Sequence, residues 1–338
     1  MIPDDVAAAW GWRPGALAPL AGGLINKTFV VRDDAAAPIA VLQQLHPIFS
    51  AEVNLDIEAV TSHLAARGLV TPRLLRTVDD RGWVIHEERV WRALSWVDGE
   101  SVHAIPSAAW AEAGGRLVGR FHRAVVDLEH DYRFTRTGVH DTAAHLAKLT
   151  DRVARGGEPE AVELGRQILD VANAMPRLPD LPRRHVHGDL KISNLMFRRD
   201  PVEGICLVDL DTLARGTMAF ELGDAMRSWC NPLGEDVTAA KFEAPIFVAA
   251  IRGFRSEADA FVTADERRSI LSGLEIVAIE LAARFAVDVF DDSYFGWDPT
   301  RFPSRRAHNL VRARGQLSLG RSVASSRDEV LDALLVRG

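Results

Sequence analysis

The sequence predicts an α+β chain in two lobes. A small β-rich N-terminal lobe covers residues 1–97 and a larger, mainly helical C-terminal lobe covers 98–338. Three observations predict it. The first third alternates short β-rich runs with a single amphipathic helix. From about residue 107 apolar residues recur at helical spacing. Asp98-Gly99 supplies a turn signal between the two regimes. A length of 338 residues suits two domains with ample core.

In chain order, residues 24–31 read as a strand after a glycine pair, and 38–45 as a second strand. Residues 51–66 form a helix whose apolar side carries Val53, Ile57, Val60 and Leu64, with Gly68 as its stop. Residues 83–88 and 89–97 are two further strands. Ser107 is positioned to cap a helix over 107–128 that turns Trp110, Leu117, Phe121 and Val125 inward. Helices follow at 141–153 and 160–174, and Pro176, Pro179 and Pro182 then carry the chain out of helical structure. Met196-Phe197 and Ile205-Cys206-Leu207-Val208 read as the two strands of a hairpin. Residues 220–229, 241–254, 265–289 and 305–323 are helical. No internal repeat or low-complexity tract is present.

Composition narrows the classes. Hydrophobic residues make up 47% and charged residues 26%, an ordinary globular balance. A net charge of −7 with no basic run argues against nucleic acid as a partner. Cys206 and Cys230 make no disulfide framework, and Cys206 reads as strand core. The acidic start Met1-Ile2-Pro3-Asp4-Asp5 lacks a signal-peptide pattern, and no apolar run approaches ~20 residues. The expectation is a cytoplasmic protein without membrane contact, as monomer or homodimer.

The chemistry concentrates in His187-Gly188-Asp189-Leu190-Lys191-Ile192-Ser193-Asn194 and Leu207-Val208-Asp209-Leu210-Asp211. An acid, an Asn five positions on and a second acid closing an apolar strand are the layout of a phosphoryl-transfer site. One carboxylate accepts the proton of an attacking hydroxyl, while an amide oxygen and another carboxylate hold the cation that neutralises phosphate. Asp189 is therefore the candidate base, and Asn194 and Asp209 the candidate Mg²⁺ ligands. Lys191 is a candidate contact to the transferred phosphoryl group, or a solvent-exposed lysine. Asp211, one strand period past Asp209, is a metal ligand, a substrate contact or a salt-bridged structural residue. His187 reads as a support of the loop.

A glycine pair at Gly22-Gly23, followed by Asn26 and Thr28, stands where a phosphate-covering loop belongs. Gln43 occupies the strand position at which kinases carry lysine. Its amide can reach phosphate but brings no charge. The expected adenine site is the backbone of about Ser95 to Asp98, with Ser95 and Val97 as its contacts.

The motif His187 to Asn194 with Val208-Asp209 resembles the aminoglycoside phosphotransferase and choline kinase superfamily. Its members have a protein-kinase-like fold and phosphorylate hydroxyls of small molecules. Residues 23–29 with Val41-Leu42-Gln43, Trp91-Arg92, Asp209-Leu210-Asp211-Thr212, Gly223 to Arg227, Arg284-Phe285, Tyr294-Phe295 and His308 to Arg314 are similar to the N-acetylhexosamine 1-kinase group. That group also has Gln at the strand position. The resemblance implies ATP and Mg²⁺ as cofactors, a small-molecule acceptor, a sugar first of all, and substrate contacts from Arg284 and Tyr294. Asp224 it implies to be structural, bonding backbone beside the catalytic loop. Gly188 departs from the polar residue of the hexosamine kinases. The expected activity is an N-acetylhexosamine or amino-sugar 1-kinase. Aminoglycoside, choline and homoserine kinases are the alternatives within the superfamily, and a nucleotide-binding pseudokinase is the alternative of another class. A choline kinase would use Trp229, Phe295 and Trp297 as an aromatic cage, and an aminoglycoside kinase the Asp-rich stretch 288–298.

Overall fold

The computed structural model describes residues 2–20 and 25–335. The N-terminal lobe runs α1 (Asp4–Ala8), β1 (Leu17–Pro19), β2 (Lys27–Arg32), β3 (Pro38–Gln44), α2 (Val53–Ala66), β4 (Leu74–Leu75), β5 (Val84–His86) and β6 (Arg89–Ser95). The C-terminal lobe continues with β7 (Glu100–Ser101), α3 (Ala108–Ala124), α4 (Thr142–Arg155), α5 (Pro159–Ala174), β8 (Arg184–Val186), β9 (Leu195–Arg198), β10 (Glu203–Leu207), β11 (Ala214–Gly216), α6 (Met218–Trp229), α7 (Ala244–Ala258), α8 (Ala264–Asp291), α9 (Arg305–Ser325) and α10 (Arg327–Leu335).

The N-terminal sheet has the order β1-β2-β3-β6-β4, with β5 also on β6. Its pairs are antiparallel, and the β3–β6 register sets Gln43 opposite Arg92. One face buries Val31, Ala40, Leu42, Trp91 and Ala93 under Val6 and Trp10, which α1 and the residues after it supply. The strand expected over 83–88 stops at His86. Glu87 and Glu88 adopt positive φ and form the two-residue turn of the β5–β6 hairpin. Acidic residues in place of Asn-Gly hide that turn from sequence.

Val53, Ile57, Val60 and Leu64 of α2 are all buried, as the spacing predicts. They join Leu45 and Phe49 in the same apolar cluster as Leu190, Ile192 and Leu210 of the C-terminal lobe. The two lobes thus share one core through α2. Gly68 closes that helix with φ +76°. Ser107 stands at the N-cap of α3, but its hydroxyl makes no capping bond. The helix expected from 241 starts at Ala244 and runs on to Ala258. α1 and α10 are too short for a clear period, although Val330 and Leu334 of α10 are buried at helical spacing.

α8 is the axis of the C-terminal lobe, packed against by α4, α5, α6, α9 and α10. A capping box between Thr263 and Glu266 starts it. Glu266 also receives Arg184 of β8 at 2.9 Å, which ties the strand entering the catalytic motif to the helix end. α6 crosses α8 glycine to glycine. A Cβ on Gly273 would sit 1.9 Å from the Ala219 carbonyl oxygen, and one on Gly223 would sit 2.6 Å from the Gly273 carbonyl carbon.

That crossing leaves no room for a methyl group. Gly273→Ala is expected to lower the unfolding free energy by about 2–3 kcal/mol in a denaturant titration. An unchanged midpoint would mean that the helices are not in contact there.

Candidate active site

The candidate catalytic motif is a loop between β8 and β9, held mainly by α6. Glu221 accepts the N–H groups of His187 at 2.8 Å and Gly188 at 2.9 Å. Trp229 donates its indole N–H to the Leu190 carbonyl at 2.8 Å, and Ser228 accepts the Ile192 N–H at 3.3 Å. From the other side the Thr212 hydroxyl donates to the His187 carbonyl at 2.8 Å. The His187 Nε2 faces the Val208 carbonyl at 3.0 Å and donates to it, while its Nδ1 accepts the Asp189 N–H. His187 is fully buried and supports the loop. Burial pushes the Glu221 carboxyl up, but the His122 ring, its Nε2 3.3 Å away, and the His187 contacts outweigh it and hold the pKa below the usual range. Gly188 has φ +78°, and a Cβ there would meet the Thr212 carbonyl oxygen at 2.5 Å.

Asp189, Lys191, Asn194 and Asp209 come together. The Asn194 amide nitrogen donates to the Asp189 carbonyl at 2.8 Å and its carboxylate at 3.0 Å, which leaves the amide oxygen outside those bonds. Lys191 donates to Asp189 at 2.6 Å and lies 3.7 Å from Asp209. Burial works to lower the Lys191 pKa, but the charges of Asp189 and Asp209 and the bond to Asp189 raise it. Asp209 is in the left-handed region, φ 64° and ψ 56°. Removal from water and repulsion by Asp211 and Asp189, opposed by Lys191, lift its carboxyl above the usual range. Among the described residues no three His, Cys, Asp or Glu side chains form a metal cage. Asp209 and Asn194 instead offer two hard oxygens, a donor set that would suit a Mg²⁺ shared with phosphate and water. The ammonium of Lys191 between two carboxylates marks a place where positive charge is favoured.

Asp211 departs from the expected substrate contact. Its side chain is 1% exposed, and both oxygens are taken by Arg92, one at 2.9 Å from the second guanidinium nitrogen. Asn26 donates to it at 2.7 Å and accepts the His46 N–H at 2.9 Å. Asn26 and Asp211 therefore bridge the lobes. Gln43, expected at phosphate, gives its amide oxygen to Arg92 at 2.9 and 2.7 Å, and its amide nitrogen is 3.4 Å from the Thr28 hydroxyl. Ser95 is paired with Arg73, through its N–H to the Arg73 carbonyl and through its hydroxyl from the Arg73 N–H. Ser95 and Val97 do not line the cavity that holds Asp189. Gly22 and Gly23 lie outside the described residues.

That cavity, of about 580 Å³, is bounded by the catalytic loop, α6, α8 and the segment 136–141. Arg284 lines it, with its guanidinium 5.7 Å from the Phe295 ring centre. Tyr294 does not: it is 64% exposed. The Asp288 carboxylate takes the N–H groups of Ser293, Tyr294 and Phe295, and the turn so formed puts Phe295 on Phe285 and Tyr294 outside. The three aromatics expected to form a cage do not line the cavity: Trp229 is buried with its indole on the Leu190 carbonyl, Phe295 is half-buried against the core, and neither they nor Trp297 reaches the lining. The aspartates of 288–298 do not line the cavity. Asp224 reaches no loop backbone. It pairs with Arg227 at 2.9 Å and faces the cavity, and Glu221, one helical turn earlier, holds the loop instead.

Sequence reasoning passed over Glu221, Arg136, Arg183 and Arg215. Glu221 carries a signal, three residues before Asp224 in the helix just after the second acidic motif. The arginines come from separate segments and carry none.

Residues 16–257 match the model of the family described as the phosphotransferase enzyme family. A homoserine kinase of Methylobacterium sp. (strain 4-46) is 27% identical over 253 residues, 72% of this chain and 75% of that protein. Among solved structures, the amicoumacin kinase hAmiN in complex with AMP-PNP, Ca²⁺ and Ami superposes with a TM-score of 0.65 at 15% identity, over 93% of this chain and 91% of that one. A microcompartment-associated aminopropanol kinase gives 0.65 at 16% identity, over 96% and 97%. These structural likenesses establish a two-lobed, kinase-like fold.

An acid whose folded pKa lies above its unfolded value of ~3.9 destabilises the fold once ionised, so its contribution is favourable below that value and is lost as pH rises. Asp209→Asn is therefore expected to raise the thermal midpoint of the metal-free protein at pH 8. The gain should fade towards pH 4; a gain of equal size at both pH values would contradict this cause. Gly188→Ala should stay folded but lose about 10²-fold in turnover through displacement of Asp189. Steady-state kinetics beside a thermal melt measure both.

Proposed function

Because the chain belongs to the phosphotransferase enzyme family, we propose that it moves the γ-phosphoryl group of ATP to the hydroxyl of a small alcohol that also carries a carboxylate, homoserine being the first candidate. One observation carries the acceptor class. Arg136, Arg183, Arg215 and Arg284 line the cavity with Asp189, and none has a carboxylate within 4.0 Å among the described residues. Three acids on this side of the cavity are already engaged: Asp224 by Arg227, Glu280 by Thr142 at 2.5 Å and His140 at 3.3 Å, and Asp141 by the Ala144 N–H at 3.0 Å. Burial works to lower the His140 pKa, but Glu280 and Asp224 raise it, which keeps those two acids occupied with the imidazole. Guanidinium groups match a carboxylate in charge and in fork geometry. A neutral acetamido sugar would leave them unmatched. The homoserine kinase relative acts on an acceptor of the matching kind.

In this reading the Arg cluster anchors the acceptor carboxylate and turns its hydroxyl to Asp189. Asp189 takes the hydroxyl proton as the oxygen attacks the γ-phosphorus. Lys191, held by Asp189, faces the charge that develops on the transferred group. Asn194 and Asp209 would hold Mg²⁺, which supplies neutralisation of the phosphate charge. The intact set of Asp189, Asn194 and Asp209 supports transfer over a nucleotide-binding pseudokinase.

An acceptor panel with ATP and Mg²⁺ tests this. Homoserine is expected to raise ADP release, and homoserinamide, which lacks the carboxylate, to do so poorly. Asp189→Asn should cost about 10²–10⁴-fold in kcat. Arg284→Leu should raise the homoserine KM about tenfold or more, the weight of one charge-assisted hydrogen bond. ADP release driven by N-acetylhexosamine alone would overturn the acceptor class and favour the sugar 1-kinase expected from the N-lobe resemblance. No acceptor-driven release with any alcohol would favour the pseudokinase.

A further inference from the structure

Resting on the reading of Asp209 as a metal ligand, we infer that Arg92 is a positioning residue that sets the Asp209 carboxylate from the opposite lobe, through Asp211. The cation absent from position 43 is present one strand away. Gln43 and Arg92 are direct cross-strand partners on β3 and β6. Arg92 is 1% exposed, and its guanidinium has three sets of partners: the Gln43 amide oxygen, the Asn54 amide oxygen at 3.4 Å and the Asp211 carboxylate.

Among the described residues, every hydrogen bond to the Asp211 carboxylate comes from the N-terminal lobe, from Arg92 and Asn26, although Asp211 belongs to the C-terminal lobe. Asp211 is the middle residue of the 3₁₀ turn Leu210–Thr212 that begins directly after Asp209. Asp209 has a left-handed backbone that an L-residue adopts at a cost and keeps only if its neighbours are held. The next residue but one is held by a bidentate ion pair, and the next but two by the Thr212 hydroxyl on the catalytic loop. The N-terminal sheet therefore grips the turn that presents the metal-binding acid. Gln43 keeps the guanidinium in the plane of that grip. In this arrangement a lysine at 43 is replaced by an amide that orients an arginine, and the arginine acts on the metal site rather than on phosphate.

A buried pair of this kind leaves an uncompensated charge when only one partner is removed, so the principal test removes both. Arg92→Met/Asp211→Asn is compared with the parent protein in three measurements. These are Mn²⁺ binding to the nucleotide complex by electron paramagnetic resonance, binding of a fluorescent ATP analogue in EDTA, and circular dichroism with a thermal melt. No acceptor is needed, so the identity of the acceptor does not enter. The expected result is a folded protein that binds metal-free nucleotide within twofold of the parent but binds Mn²⁺ at least tenfold more weakly. Mn²⁺ binding within twofold of the parent overturns the inference. So does an equal loss of metal-free nucleotide binding, which would make Arg92 a nucleotide contact. If the double variant does not fold, Arg92→Lys, which keeps the charge but not the fork, decides by the same criteria, with at least a threefold loss expected. A parent that binds no Mn²⁺–nucleotide refutes the phosphotransferase site itself, a separate outcome from failure in the variant alone.

Discussion

A carboxylate sealed from water has to find its donors within the protein. Glu221, 5% exposed on α6, finds them in the two backbone N–H groups that open the catalytic loop. That interaction fixes more than the loop. α6 lies glycine against glycine on α8, and α8 is tied at its start to β8 through Glu266 and Arg184. Asp189 on the loop, Asp224 and Arg227 on α6, and Glu280 and Arg284 on α8 thus belong to one packed block. The distance from the candidate base to the far wall of the cavity is set by helix packing, which permits little slack.

The N-terminal sheet meets this block through a small polar network inside a shared apolar core. Burial of an ion pair such as Arg92–Asp211 contributes little net stability, because desolvation offsets the attraction. Its effect is geometric. It admits one arrangement of the turn after Asp209, where apolar packing alone would tolerate several.

The acids that face Lys191 are crowded enough to lift the Asp209 carboxyl, a site that favours an added cation. Arg136, Arg183, Arg215 and Arg284, which line the same cavity, have no carboxylate partner among the described residues, and the proposed acceptor carboxylate would meet them. The proposed cation-held phosphate and carboxylate-bearing alcohol both fit this distribution of charge.

The local grammar was legible. Apolar spacing located α2 with its four inward residues, the hairpin around Met196 and Cys206, and most of the C-terminal helices. The spacing from Asp189 to Asn194 and the strand-end Asp209 announced a cluster that folding does assemble. What failed depended on partners far away in the chain. Asp211 looks like a second ligand until Arg92, 119 residues earlier, occupies it. Tyr294 shares a motif with Phe295, yet Asp288 turns it outward. Asp224 and Glu221 are one turn apart on the same helix, and only the docking of the loop decides which of them holds it. Sequence by itself located most of the longer elements and the candidate reacting residues, since periodicity and a contiguous motif are local properties. Tertiary structure alone decided which charges are neutralised and which remain free to meet a ligand, because that balance is struck between side chains that only folding brings within hydrogen-bond reach.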